Sequence, residues 1–176
     1  MANTRGIFTL TTILDDKIPL NKWVDLNNVW IGPSPFVSPA PNTGYFAGGF
    51  TPGPSAKSTM DKVTYSSDTT AAVPGAALSL GRWYLAATGN STSGYFGGGG
   101  PGPYSTMDKV TYASDTTAAV PGAALSAARS GMSATGNSTS GYFGGGGQPN
   151  PVSTVDKVTY ASDTTAAAPG AALSAA

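Results

Sequence analysis

The chain has 176 residues, with nine Lys plus Arg, nine Asp plus Glu, no histidine and no cysteine; every acid is aspartate. These absences remove thiolate nucleophiles, Ser-His triads, imidazole bases and Cys/His zinc sites. A formal charge of zero supplies no basic face for nucleic acid, and no apolar run approaches the length of a membrane span.

Residues 1–43 form a segment of their own, because nothing in them recurs later. Gly6 to Leu14 is rich in branched and aromatic residues and predicts a strand; Asp15-Asp16-Lys17 predicts a turn. Lys22 to Leu26 alternates polar and apolar residues, and Asn27 to Ile31 extends or ends a second strand. The expected result is a β-hairpin, which is marginal alone in water. Phe8, Ile13, Trp23 and Trp30 therefore need an outside cover, and they are the candidate anchoring residues. Gly32 to Pro41 reads as a proline-rich, semi-extended linker.

Residues 44–176 repeat. Asp61-Lys62-Val63-Thr64-Tyr65 recurs at Asp108 and at Asp156, spacings of 47 and 48 residues. Each copy is followed by Ser-Asp-Thr-Thr-Ala-Ala and then Pro-Gly-Ala-Ala-Leu-Ser, and each is preceded by Gly-Tyr-Phe and a glycine run, at Tyr45, Tyr95 and Tyr142. A period of this size marks stacked or radial repeat units, which more often present surfaces than perform chemistry. Met107 to Tyr112 alternates with period two, placing Met107, Lys109 and Thr111 on one face and Asp108, Val110 and Tyr112 on the other. Strands are expected near 92–97, 107–113 and 129–135, with a turn at Ala113 to Thr117, a short strand at Ala118 to Val120 and a tight turn at Gly136-Asn137.

The spacing from Asp61 to Tyr95 equals that from Asp108 to Tyr142, 34 residues, whereas Tyr45 to Asp61, Tyr95 to Asp108 and Tyr142 to Asp156 span 16, 13 and 14. Constant length marks packed framework and drifting length marks surface loop. The loops Phe50 to Lys57, Pro101 to Tyr104 and Gln148 to Val152 are therefore the candidate contact segments, with Phe50, Lys57, Tyr104 and Gln148 as contact residues.

No catalytic, cofactor-binding or metal-binding set emerges. Asp108 and Lys109 are strand neighbours pointing to opposite faces, so they share no site, and Asp108 reads as a solvated or backbone-capping aspartate. Asp68, Asp115 and Asp163 offer one carboxylate per unit, short of the oxygen set calcium prefers, and read as turn residues. Gly97 to Gly100 lacks the Lys-Ser/Thr of a phosphate loop. For Tyr95-Phe96, alternation predicts that one ring is buried in a core.

One unit, begun at Pro121, reads Arg129-Ser-Gly131, then Gly136-Asn137, then Gly141-Tyr142-Phe143-Gly144-Gly145, a loop, and Val155-Asp156-Lys157-Val158-Thr159-Tyr160. This order resembles the kelch repeat over residues 42–176. The resemblance implies a four-stranded propeller blade per unit with Arg82 and Arg129 structural, although the tryptophan that follows the tyrosine strand in that family is replaced here by Thr and Ala. The expected fold is all-β: an N-terminal β-hairpin segment followed by kelch-like antiparallel repeats, about two and a half units, in an incomplete propeller or repeat array. The third unit stops at Ala176, where Arg129 would recur. The expectation is that the repeats continue in a longer polypeptide; the alternative is that copies from several chains complete the array. Thr/Ser/Gly-rich units of this kind, and the opening Asn3 to Phe8, are also similar to virion structural proteins of tailed phages that infect marine cyanobacteria. That similarity implies a non-enzymatic virion protein located in the particle. It would be a tail fibre or fibre-like appendage held to other virion proteins by its N-terminal segment, homo-oligomeric, with repeats projecting towards a host-surface receptor. The alternative is a capsid-decorating or baseplate component without receptor binding. Cofactors, nucleic acid and membrane insertion are not expected.

Overall fold

In each unit the period-two alternation of the Asp-Lys-Val-Thr-Tyr motif builds one strand of a sheet, and the aromatic Gly-Tyr-Phe segment builds its neighbour. The computed structural model describes residues 42–175 apart from 54, 148 and 149, together with the backbone of 25–26 and 29–30. In chain order the strands are β1 (Asp25–Leu26), β2 (Val29–Trp30), β3 (Thr43–Ala47), β4 (Phe50–Thr51), β5 (Ser55–Ala56), β6 (Met60–Thr64), β7 (Thr69–Ala72), β8 (Ala86–Gly89), β9 (Ser93–Gly97), β10 (Met107–Thr111), β11 (Thr116–Ala119), β12 (Ser133–Gly136), β13 (Ser140–Gly144), β14 (Val155–Thr159) and β15 (Thr164–Ala167). The chain is all-β, with antiparallel sheets ordered β3-β6-β7, β8-β9-β10-β11 and β12-β13-β14-β15. The described sheets do not close into a ring.

Before Ala40, which opens the second of two compact parts, only the ladder of β1 with β2 is described. The expected strand over 6–14 and the anchor candidates Phe8, Ile13 and Trp23 lie outside the described residues, and Trp30 is described by its backbone alone.

Register is the same in every unit. Lys109 lies opposite Tyr95, and Asp108 opposite Phe96, as Lys157 lies opposite Tyr142 and Asp156 opposite Phe143. Glycine is required at the first position of Gly-Tyr-Phe: a Cβ on Gly141 would sit 2.7 Å from the Tyr160 hydroxyl and meet the Thr88 methyl of the preceding sheet. Two expected strands are shorter than their pattern. The strand at 107–113 ends at Thr111 because Tyr112 to Asp115 turn, with Asp115 held left-handed at φ 51°. Only Ser133–Gly136 of 129–135 is strand, since Gly131 at φ 67° breaks the run and the backbones of Arg129 and Ser130 bridge to Tyr104 and Gly147 instead. The expected Gly-Asn turn forms, with Asn137 Oδ1 accepting from the Thr139 and Ser140 amides at 2.8 and 3.0 Å.

Each sheet has a leading face towards the preceding unit and a trailing face towards the next. Met60, Ala76 and Leu78 on the first unit's trailing side pack with Phe96 and Val110 of the second. Tyr95, Met107, Ala123 and Leu125 of the second pack with Phe143, Val158 and Tyr160 of the third. Both faces of the middle sheet are covered, so Tyr95 and Phe96 are both buried, and the expectation that alternation buries one of them is corrected. Tyr112 stacks on Tyr45 and Tyr160 on Tyr95, with centroids 5.1 and 4.9 Å apart.

Asp108 is not solvated. It is fully buried and ion-paired to Arg82, and Asp156 is paired likewise to Arg129. The arginine crosses the seam between units. Its amide donates to the Lys57 carbonyl at 3.0 Å and its own carbonyl accepts from Gly49, both in the first unit. Its guanidinium donates to the Gly98 and Thr106 carbonyls at 2.9 and 2.8 Å and to Asp108, all in the second. The Ser79 amide adds a bond to Asp108 at 3.3 Å. Burial pulls Arg82 below its ordinary value, and the Asp108 charge opposes that pull.

A second link crosses each seam at the turn aspartate. Asp115 accepts from the Tyr45 hydroxyl and from Lys62 Nζ at 2.9 Å; Asp163 accepts from the Tyr95 hydroxyl and from Lys109 Nζ at 2.8 Å. Asp108 and Lys109 thus serve different partners on opposite faces, as alternation requires. The hydrogen bonds from Tyr45 and Lys62 hold the Asp115 carboxyl below the usual carboxylate pKa. Burial alone would raise Asp163, but the bonds from Lys109 and Tyr95 outweigh it and hold it low.

Asp156→Ala leaves the Arg129 charge buried without its partner and should cost about 3 to 5 kcal/mol in denaturant unfolding, whereas the apolar pair Arg129→Met with Asp156→Leu should cost far less. Both turn aspartates titrate lower in the folded chain than the unfolded value of about 3.9, so the unfolded chain takes up the extra protons. Their contribution is complete above about pH 4 and is lost as pH falls below it. Thermal melts should show Asp163→Asn less stable than the parent at pH ~7, with the gap closing towards pH ~2.

Candidate functional site

The buried charges are consumed by framework, so the places where a ligand would meet distinctive chemistry are the surfaces on which the units differ. The loop Phe50 to Lys57 folds into a miniature hairpin of β4 and β5, with Phe50 opposite Ala56 and Thr51 opposite Ser55. Gly53, at φ 88°, makes its turn, and the Lys57 amide closes its base on the Gly49 carbonyl at 2.9 Å. Phe50 is exposed at the start of this hairpin.

Beside it the framework departs from its own repeat. Arg82-Trp83-Tyr84-Leu85 occupies the place of Arg129-Ser130-Gly131-Met132. The Phe50 ring lies edge-on to Trp83 at 5.7 Å and to Tyr84 at 6.5 Å. Trp83 is pinned by a backbone pair with Gly100, and the Tyr84 carbonyl accepts from the Gly131 amide at 2.9 Å. Tyr84 is exposed and sits at φ 53°, the left-handed region its counterpart Gly131 occupies at φ 67°. A tyrosine there costs about 1 to 2 kcal/mol that glycine does not. The cost is borne by a ring that packs into no core cluster. Exposed Phe50 and Tyr84 and half-buried Trp83 form an aromatic patch held by backbone bonds on three sides.

The other candidate contact residues separate. Lys57 is partly buried, and its carbonyl positions the Arg82 backbone. Tyr104 is also partly buried; its amide bonds to Gly99 and its carbonyl to Arg129, which makes it part of the seam. Gln148 lies outside the described residues. Reading loop lengths finds Phe50 but misses Trp83 and Tyr84, which lie in a stretch of constant length. The signal available for them is substitution against the internal repeat: two large aromatics where the next unit has Ser130 and Gly131.

Tyr84→Gly relieves left-handed strain while deleting an aromatic pair worth about 0.5 to 1.5 kcal/mol. These oppose each other, so its unfolding free energy should stay within about 1 kcal/mol of the parent, measured by denaturant titration.

No family model matches the chain, and no curated protein matches it.

Proposed function

We propose that this chain is a non-enzymatic virion structural protein of a tailed phage, a fibre-like appendage whose kelch-like repeats form a stiff stalk for host-surface recognition. The observation that carries the reading is the aromatic patch in which Phe50 and Tyr84 stand exposed beside a half-buried Trp83 on an otherwise uniform framework. A repeat that must satisfy the same packing each time has little freedom to be specific, so specificity belongs where the repeat is broken. Exposed, pre-positioned aromatic rings are the side chains most often found to dominate protein recognition, because they bring large contact area at small entropic cost. Support also comes from the buried Arg82–Asp108 and Arg129–Asp156 pairs, which tie neighbouring units into one body able to hold such a patch outward. In this reading residues 1–43 attach the chain to other virion proteins, with Trp23 and Trp30 taking cover there.

Particles carrying Phe50→Ala together with Tyr84→Gly should incorporate the protein normally yet adsorb to host cells at least roughly tenfold less well. Normal incorporation with unchanged adsorption would assign the chain to a capsid-decorating or baseplate role without receptor contact.

A further inference from the structure

Charge, size and shape narrow what the patch of Phe50, Trp83 and Tyr84 can hold. Neither the hairpin from Phe50 to Ala56 nor the loop from Pro101 to Tyr104 contains Lys, Arg, Asp or Glu. Between Ser79 and Thr88 the one charged residue is Arg82, which is fully buried and paired to Asp108. Lys57, at the base of the hairpin, is partly buried. An anionic or cationic ligand would find little to attract it here. Phe50 is 61% and Tyr84 63% exposed. Since a whole aromatic side chain offers about 150 to 250 Å², the two together present roughly 200 to 300 Å². A protein partner covers about 800 Å², and most of that footprint would fall on framework that the next unit repeats. The Phe50 ring is inclined 61° to both other rings, so the patch is a corner rather than a flat platform.

We propose that this corner binds one uncharged pyranose ring, the terminal residue of a neutral saccharide. A pyranose carries C–H groups on its faces and hydroxyls around its rim. Its C–H face lies against one ring of the corner, because the negative face of an aromatic ring attracts the slightly positive C–H hydrogens. The inclined second ring closes on its edge. Phe50 and Tyr84 make these contacts, while Trp83, pinned to the Gly100 backbone, supports the Phe50 ring from behind. Exposed Tyr84 also brings a hydroxyl that can donate to the rim and accept from it. An apolar ligand would keep its outer side in water, whereas a pyranose turns its polar rim outward. The strain at Tyr84 agrees with this use. It stands at φ 53° where the next unit has a glycine at 67°, and backbone strain gathers at ligand clamps. The inference rests on the host-recognition reading for its setting, since it names the chemistry of the receptor.

Saturation-transfer NMR on the full chain tests it, with the methyl glycosides of glucose, galactose, mannose and rhamnose as probes. A ligand of that size binds with a Kd of about 1 mM at ordinary ligand efficiency, within reach of the method. At least one probe should receive saturation, most strongly at the C–H hydrogens of one face. Phe50→Leu should weaken binding about threefold to tenfold, and Phe50→Tyr should restore it. Thr51→Ala, on the opposite face of the hairpin, should change nothing. Raising salt from about 0.05 to about 0.5 M should leave affinity unaltered. The proposal is overturned by no transfer to any of the four probes. It is also overturned by binding that survives Phe50→Leu with Tyr84→Gly, or by methyl glucuronide binding more tightly than methyl glucoside. Lost adsorption in particles carrying Phe50→Ala with Tyr84→Gly, from a chain that binds none of the probes, overturns the saccharide and leaves host recognition standing, as for a protein receptor. Saccharide binding with unchanged adsorption supports this site and removes its role in host recognition.

Discussion

The guanidinium of Arg82 is anchored by its backbone in one unit and discharged by a carboxylate in the next, and the rest of the array depends on that crossing. A buried ion has few tolerable environments, because removing it from water costs several kcal/mol that only a close counter-charge and further hydrogen bonds recover. Here the recovery is incomplete: Arg82 Nε and Asp108 Oδ1 find no hydrogen-bond partner among the described residues. The pair is thus a weak source of stability and a strong source of geometry. Any slip between units would break bonds to the Gly98 and Thr106 carbonyls as well as to Asp108. The small side chains that line these seams, such as Ala76 and Ala123, could not resist such a slip alone.

The turn aspartates act differently. Asp115 and Asp163 are partly open to solvent, as are Lys62 and Lys109, so their attraction is screened and modest. What distinguishes them is the tyrosine hydroxyl that shares the carboxylate, buried beside a stacked ring. Burial raises Tyr95, and burial pushes Tyr112 up to about 12. A carboxylate, an ammonium and a phenol in one cluster fix the relative angle of adjacent sheets from the rim, while the arginine pair fixes their separation from within.

Much of this was legible in the residues. Alternation in Met107 to Tyr112 assigned each side chain to its face, and the Gly-Asn dipeptide located the turn between β12 and β13. The fate of Tyr95-Phe96 was not legible, because alternation says which face a ring takes but not whether both faces are covered. That depends on neighbours one period away. The solvated alternative for Asp108 failed for the same reason, although Asp108 does accept from the Ser79 amide: its partner lies 26 residues upstream, and a lone aspartate in a strand resembles a solvated one until that arginine is folded against it. At the aromatic patch, loop length pointed to Phe50, but Tyr84 sits in framework whose length never varies. Its conformation, borrowed from a glycine, is a property of the backbone that its own letter does not announce.

The arginine crossing also governs how such a gene can change. The stretch from Arg82 to Ala128 begins at one crossing residue and ends just before the next, Arg129. Removing or duplicating that whole stretch leaves every buried arginine facing an aspartate, because Arg129 can take the seat of Arg82 on the first unit. Removing half of it strands a charge in an apolar interior. Recombination between near-identical repeats would produce both outcomes, and folding would discard the second. The reach of such a protein can therefore lengthen or shorten in steps of one module without any compensating mutation.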